Sequence, residues 1–549
     1  MTEQLRRPWA ALVVLCLGTF AILMDGTIVN VALPSMITGL HAPLDQALWV
    51  VNSYLLVFAA LLILASRLGD MFGPRRLFVI GLAVFALSSA LCGAAQTPGE
   101  LIAARVLQGV GAAAIAPQAM VIIRSLFHGR QMGAAFGVFS SMIGVAAVSG
   151  PVIGGLLTTY LSWRWVFYVN LPIAAAGIAL SYVFVPEIRT GGKHSLDLIG
   201  VLLAAAGLTA VCYGVIEGQR YSWGAVRYGI TIPEVIGAGV LLLAGFTVWE
   251  LRQREPLIPL GLLRSRNFAI VVALSLAVQF ALQSMLLINS INMQSALGFS
   301  AIHAGLTGLP TTLSMTALAP FAGRITDRVG GKRVLAAGLA LYAAGIAGVA
   351  AVASVHATSL TFAPVLLVAG LGMGAIFAPL ATMAMHAAPQ HQAGAASGVV
   401  NTSRQLGGTL GGAVAGAVLA SGLASAMHAR AVAAAAQLPA AVRRPFVAGF
   451  SAAARTGLQV GRNQASAKLP AGTPRSLAPH LHQLIQDIFA RSYIEAMHWA
   501  LAVPVAVLVV GVLACLAMRR EAAPASPSGQ AADSAVKPGA PAVVEATAR

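Results

Sequence analysis

Apolar residues run through this chain in long blocks separated by short polar stretches. The blocks fall at about 9–32, 47–66, 77–95, 100–123, 132–156, 165–185, 196–217, 233–251, 267–289, 303–322, 334–353, 361–386, 394–421 and 491–517. Each approaches the ~20 residues that an α-helix needs to cross a hydrocarbon core. The pattern predicts an all-α polytopic membrane protein with fourteen transmembrane helices. An even number of crossings puts both termini on one side. The first block follows Arg6 and Arg7, is longer than a signal-peptide core and has no small-residue cleavage site after it, so it reads as the first transmembrane helix.

Charge decides which side that is. Arg67, Arg75 and Arg76 follow the second block, Arg124 and Arg130 the fourth, and Arg189 and Lys193 the sixth. Arg252, Arg254, Arg264 and Arg266 follow the eighth, Arg324, Arg328, Lys332 and Arg333 the tenth, and Arg519 and Arg520 the last. The opposite short loops hold only Arg164, Arg220 and Arg227. The excess of Lys and Arg marks the cytoplasmic side, so both termini are expected there. The long outer segment at about 422–490 is basic as well, but the rule weakens for loops of such length. It is Ala-rich, with room for amphipathic helix. Residues 521–549, rich in Ala, Pro and Ser, read as a disordered cytoplasmic tail.

Composition agrees with the pattern and narrows the function classes. The 549 residues are 58% hydrophobic and only 9% charged, against roughly 25% in an ordinary soluble domain. No soluble globule hides that much apolar surface. The net charge of +17 would suggest nucleic acid in a soluble protein, whereas here the basic residues are accounted for by the loops. Cys16, Cys92, Cys212 and Cys515 all lie inside apolar blocks and show neither a disulfide nor a metal-ligand spacing.

A short polar motif occurs twice. Gly69-Asp70-Met71-Phe72-Gly73-Pro74-Arg75-Arg76 follows the second block, and the stretch Gly323 to Arg333, with Asp327, Arg328, Gly330 and Lys332, follows the tenth. Each sets an Asp beside basic residues at a Gly-dependent turn. Such a cluster can pair in one conformation and separate in another. Its recurrence at matching places indicates two related bundles, a usual transporter plan. Removing the seventh and eighth blocks leaves six and six. The expected organisation is a six-helix bundle at 1–190, two inserted helices at 191–255 and a second bundle at 256–520.

The repeated loop resembles the signature of the major facilitator superfamily. The second copy follows its pattern closely, while the first has Ser66 for the leading Gly and Met71 for the Arg after Asp. Met24 to Pro34, with Asp25 and Asn30, is similar to the first-helix motif of the fourteen-helix drug:proton antiporters. Leu101, Arg105, Gln108, Gly109 and Gly111 match a fourth-helix motif associated with proton coupling. Gly150, Pro151, Gly154 and Gly155 match the fifth-helix antiporter motif, with Ala146 where a first Gly is usual. Trp163 to Pro172, including Asn170, and Ser403 to Gly408 also look like this family. The resemblance implies a major facilitator fold in a bacterial cytoplasmic membrane, driven by the proton gradient, with no cofactor, no metal and no nucleic acid. The implied partners are protons, a small-molecule substrate and the lipid bilayer. A monomer is the expected functional unit, with room for a periplasmic adaptor.

Few charges lie deep inside the blocks: Asp25, Arg105 and Arg404. Each costs roughly 2.5–3.5 kcal/mol at mid-membrane, so each needs a partner or a wet cavity. At 1.5 Å per residue, Asp25 and Arg105 sit at a similar depth, about 8–11 Å below the outer surface. Burial favours a protonated carboxylate and a nearby Arg favours the ionised one. Asp25 is therefore the candidate proton carrier, with a fixed structural pair as the alternative. The fifth-helix glycines suit either a rocking seam or plain close packing. Gln279, Gln283 and Asn289 in the ninth block, and Asn401, Arg404 and Gln405 in the thirteenth, are candidates for the substrate cavity, with Asn30 and Gln108. Interhelical hydrogen bonding is the competing reading. Glu217 is expected near the outer surface.

The expected function is proton-coupled export of drugs or small amphipathic toxic compounds by alternating access. A dedicated exporter of one endogenous metabolite or natural product fits the same residues. No Walker loop, catalytic triad or zinc motif supports an ATP-driven pump or an enzyme.

Overall fold

The computed structural model describes residues 7–518 apart from 128–129, 188–196, 219–220, 228, 254–259, 387–392, 437, 439 and 456–477. The expected tail at 521–549 lies outside the described residues. The helices are α1 (Pro8–Leu40), α2 (Leu44–Phe72), α3 (Pro74–Ala94), α4 (Pro98–Leu126), α5 (Arg130–Tyr160), α6 (Trp165–Tyr168), α7 (Asn170–Phe184), α8 (Leu198–Glu217) and α9 (Ile232–Arg252). They continue with α10 (Arg266–Ile291), α11 (Ala301–Thr307), α12 (Leu309–Val329), α13 (Gly331–Val352), α14 (Ser359–His386), α15 (Ala393–Ala435), α16 (Ala440–Arg455) and α17 (Ala478–Leu516). Among the described residues the only strands form a small hairpin, Ala225–Arg227 against Ile230–Thr231, between α8 and α9.

A helix stands at every apolar block the sequence predicts. Among the described residues, twelve helical stretches are long and apolar enough to cross a membrane. The other two blocks fall on α5 and on α11–α12, which are helical too. The sixth block is broken by a short α6 before α7.

The two halves pack alike. In the first, α3 lies on α4, α4 on α2, α1 on α5, and α7 on both α1 and α3. In the second, α13 lies on α14, α14 on α12, α10 on α15, and α17 on both α10 and α13. The inserted pair α8 and α9 pack on each other, and α8 rests on α2 and α15. The face of α9 carrying Val240, Leu241, Val248 and Leu251 is exposed, as suits a helix that meets lipid rather than protein.

The repeated loops share one backbone device. Gly73 joins α2 to α3 with φ +96° and ψ +129°, and Gly330 joins α12 to α13 with φ +95° and ψ +134°. Each donates its N–H to the carbonyl four residues earlier, Gly69 and Thr326 respectively, at 2.9 Å. Positive φ is open to glycine and strained for other residues. A one-residue joint then reverses the chain between two long helices.

The segment expected as a long loop at 422–490 is largely helical where described. α15 runs on to Ala435, α16 spans Ala440–Arg455, and α17 begins at Ala478. Phe446 and Phe450 of α16 are buried, as are Leu481 and Ile485 of α17. The helix thus runs past the apolar block at 394–421 into an Ala-rich continuation of high helix propensity.

Candidate functional site

Asp25 and Arg105 meet. Arg105 Nη1 donates to Asp25 Oδ2 at 2.5 Å, and the two side chains are 0% and 1% exposed. α1 brings the carboxylate and α4 brings the guanidinium, with Gln108 one turn further along α4. Gln108 Nε2 donates to Asp25 Oδ1 at 3.0 Å and to Ser89 Oγ at 2.7 Å, while its Oε1 accepts from Arg105 Nη1 at 2.6 Å. Asn170 Nδ2 donates to Asp25 Oδ1 at 3.0 Å. Arg105 Nε donates to the Val50 carbonyl at 3.0 Å, and the Tyr54 ring lies over the guanidinium at 4.1 Å.

Every hydrogen bond to Asp25 is donated by its neighbour, the arrangement an ionised carboxylate requires. Two buried charges are expensive unless their hydrogen bonds are met. Here α1, α2, α3, α4 and α7 together meet them. The Asn170 Oδ1 atom is buried, with no hydrogen-bond partner among the described residues.

The sequence anticipated Asp25, Arg105 and Gln108, but placed Gln108 in the substrate cavity rather than in this cage. Ser89, the Val50 carbonyl and the Tyr54 ring were missed. Nothing in a single sequence separates Ser89 from other small helix residues. Asn170 was legible only as part of the Trp163 to Pro172 motif.

The three motif glycines of α5 meet two different neighbours. Gly150 and Gly154 face Thr27 and Ile28 of α1, within the first half. Gly155 faces α11 of the second half: a methyl group there would lie 2.7 Å from Ile302 Cα and 2.8 Å from the Ala301 carbonyl. Gly305 answers from α11, where a methyl group would lie 2.5 Å from the Pro151 carbonyl. Ile302 N donates to Thr159 Oγ1 at 3.1 Å across the same seam.

Other contacts between the halves gather at the same end of the bundle. Ser290 Oγ donates to the Asn30 carbonyl at 2.6 Å, and Gln294 Nε2 to the Val31 carbonyl at 2.7 Å. Gln283 Nε2 reaches Asn30 Oδ1 at 3.3 Å. This is the end where α1, α5 and α10 terminate, the one expected from the loop charges to lie outside. Of the predicted cavity residues, Asn30 and Gln283 thus belong to the seam. Asn289 has its Oδ1 buried without a hydrogen-bond partner, and Gln279 lies beside Gly408 of α15. Asn401, Arg404 and Gln405 of α15 are half-buried. Glu217, at the end of α8, is buried against α2, with Oε1 accepting from Trp49 Nε1 at 3.0 Å.

At the opposite end the signature loops hold the last helix of their own half. Arg75 Nη2 donates to the Tyr182 carbonyl at 3.1 Å, and Arg76 pairs with Glu187 at 2.6 Å, just past α7. Lys332 Nζ donates to the Met518 carbonyl at 2.8 Å, just past α17. Arg328 and Arg333 are exposed. The side chains of Asp70 and Asp327 lie outside the described part of the structure.

Two like bundles, a deeply buried ion-pair cage and a seam at one end define a membrane transporter, inserted by multiple passes in the cytoplasmic membrane. The Major Facilitator Superfamily model matches residues 15–412, and the chain belongs to that superfamily. Similar proteins include the puromycin resistance protein pur8 of Streptomyces alboniger, 36% identical over 73% of this chain and 80% of that protein. The tetracenomycin C resistance and export protein of Streptomyces glaucescens is 33% identical over 73% and 74%. The multidrug resistance protein Stp of Mycobacterium tuberculosis (strain CDC 1551 / Oshkosh) is 33% identical over 72% of each. The fold is similar to an inward-facing, unoccupied bacterial homologue of the human lysosomal transporter Spinster, with a TM-score of 0.61, 16% identity and coverage of 95% and 100%.

Proposed function

We propose that this transporter is a proton-coupled exporter of drugs or small amphipathic toxic compounds, with fourteen transmembrane helices, cytoplasmic termini and alternating access between the two halves. The observation that carries the reading is the place of Asp25 on α1. The carboxylate lies five and six residues before Asn30 and Val31, whose carbonyls accept the hydrogen bonds that join the halves. That separation is only about 7–9 Å of helix. A change of charge at Asp25 loosens its hold on α4 and α7, and so frees α1 to move relative to the seam. The seam at the expected outer end supports a cycle in which Asp25 pairs with Arg105 while the substrate path faces the cytoplasm. Protonation from outside, after the seam opens, replaces the pairing with Arg105, and release inside restores it.

Names of similar proteins point both to breadth and to single compounds. A dedicated exporter of one metabolite or natural product therefore stands as the second reading. A compound-susceptibility panel in an efflux-deficient bacterial host tests both, with wild type, Asp25→Asn and empty vector. Protection against many unrelated compounds that Asp25→Asn abolishes is expected. Protection against one compound would move the conclusion to the dedicated exporter. Full protection by Asp25→Asn would remove Asp25 from the coupling step.

A further inference from the structure

The cage leaves Arg404, on α15, outside its charge balance. Asp25 and Arg105 neutralise each other, whereas Arg404 on α15 has no acidic partner and no hydrogen bond from its guanidinium to another described residue. Its recorded contact is the Phe377 ring of α14, 5.4 Å from the guanidinium carbon. The residue as a whole is half-buried.

α15 meets α2 along a row of glycines one turn apart, and the two helices diverge along that row. A methyl group at Gly416 would lie 2.6 Å from Leu48, and one at Gly412 would lie 2.7 Å from Asn52 Oδ1. At Gly408 the nearest α2 atom is 3.9 Å away, on Leu55. Arg404 is the next position in that row, on the widening side of the seam. Gln279 of α10 lies across from Gly408, and its buried Oε1 has no hydrogen-bond partner.

A guanidinium stays charged in a protein, and its planar fork matches a carboxylate with two parallel hydrogen bonds. The aromatic ring beside it offers an apolar surface to the body of the same molecule. We propose that Arg404 is the anchor for the acidic group of the substrate, and that the preferred cargo is an amphipathic organic anion, with its apolar part against Phe377. This proposal rests on the export reading, whose substrate class it names. An anion at Arg404 gives the guanidinium the counter-charge and the hydrogen bonds that a cation inside the membrane needs.

The test is binding to the purified full-length protein in lipid nanodiscs, read by fluorescence anisotropy with no pH gradient. The probes are fluorescein and rhodamine 123, which share a xanthene body and differ in charge. Wild type is expected to bind fluorescein roughly tenfold more tightly than rhodamine 123, the discrimination that one charged hydrogen-bonding anchor supplies. Arg404→Gln should lose that preference with rhodamine 123 binding unchanged, and Arg404→Lys should keep part of it. Size-exclusion profiles report whether each variant is folded. Equal or tighter binding of rhodamine 123 by wild type, no binding of fluorescein, or a parallel loss of both dyes in Arg404→Gln would each overturn the proposal. Binding here needs no proton coupling, so a failed charge preference with proton-driven export intact condemns only the Arg404 assignment. A retained preference with no proton-driven export condemns only the coupling reading.

Discussion

In the first half of the molecule, Asp25 is enclosed by Arg105, Gln108 and Asn170, with neither member of the ion pair more than 1% exposed. In the second half, the deep charge is Arg404, half-buried, stacked on Phe377 and facing a seam that widens. The scaffolds share much of their helix packing, apart from α15 on α17, and have the same glycine joints at Gly73 and Gly330. What differs is whether a buried charge has its partners inside the protein. A satisfied pair can respond to a proton, because protonation breaks something already formed. An unsatisfied cation can respond to cargo, because cargo supplies what is missing. The two halves thus share their joints and differ in their buried chemistry.

The contrast is broken most severely at Arg105. Arg105→Ala leaves Asp25 as a buried carboxylate without its counter-ion, a change that costs about 3–5 kcal/mol. Denaturation of the purified variant should show a loss of that order, whereas Arg404→Ala, which strands no partner, should lose far less. Equal losses would mean that the two charges play the same structural part.

The next effect is on the seam. Gly155→Leu drives a side chain into Ala301 and Ile302 without touching the cage. Disulfide cross-linking between Thr159→Cys and Ile302→Cys should fall severalfold in that background, because the outer seal no longer closes. Gly154→Leu, which presses on Ile28 within the first half, should leave cross-linking nearer the parent level. The smallest effect belongs to what the halves share. Gly73→Ala and Gly330→Ala each place a methyl group on a backbone with φ near +95°, at a cost of roughly 1–3 kcal/mol. Thermal unfolding should move by a similar amount for both, and unequal shifts would show that the loops are not equivalent joints.

The helices were legible because apolar blocks of bilayer length leave little choice of structure. The joints were legible as well, since the Gly73 and Gly330 stretches repeat in sequence. The cage was half legible. Asp25 and Arg105 announce themselves as charges in apolar runs, and equal depth makes them candidates for pairing. Ser89 and the Val50 carbonyl carry no such signal, because an ordinary serine or a backbone oxygen becomes part of a site only through packing. The division of labour among the α5 glycines was hidden for the same reason. Spacing along one helix tells which residues share a face, but only the fold tells that Gly154 meets α1 and Gly155 meets α11. The helical continuation of α15 beyond the apolar block was obscured by composition, since hydropathy marks where a helix meets lipid and not where its hydrogen bonds end.

The central claim is that Asp25 carries the proton. Its most direct test uses proteoliposomes with wild type or Asp25→Asn, loaded with a compound to which the wild type gives resistance. With an imposed pH gradient, wild type should accumulate the compound against its own gradient and stop when the pH gradient is dissipated. Asp25→Asn should exchange labelled for unlabelled compound but fail to accumulate it. Undiminished proton-driven accumulation by Asp25→Asn would contradict the account.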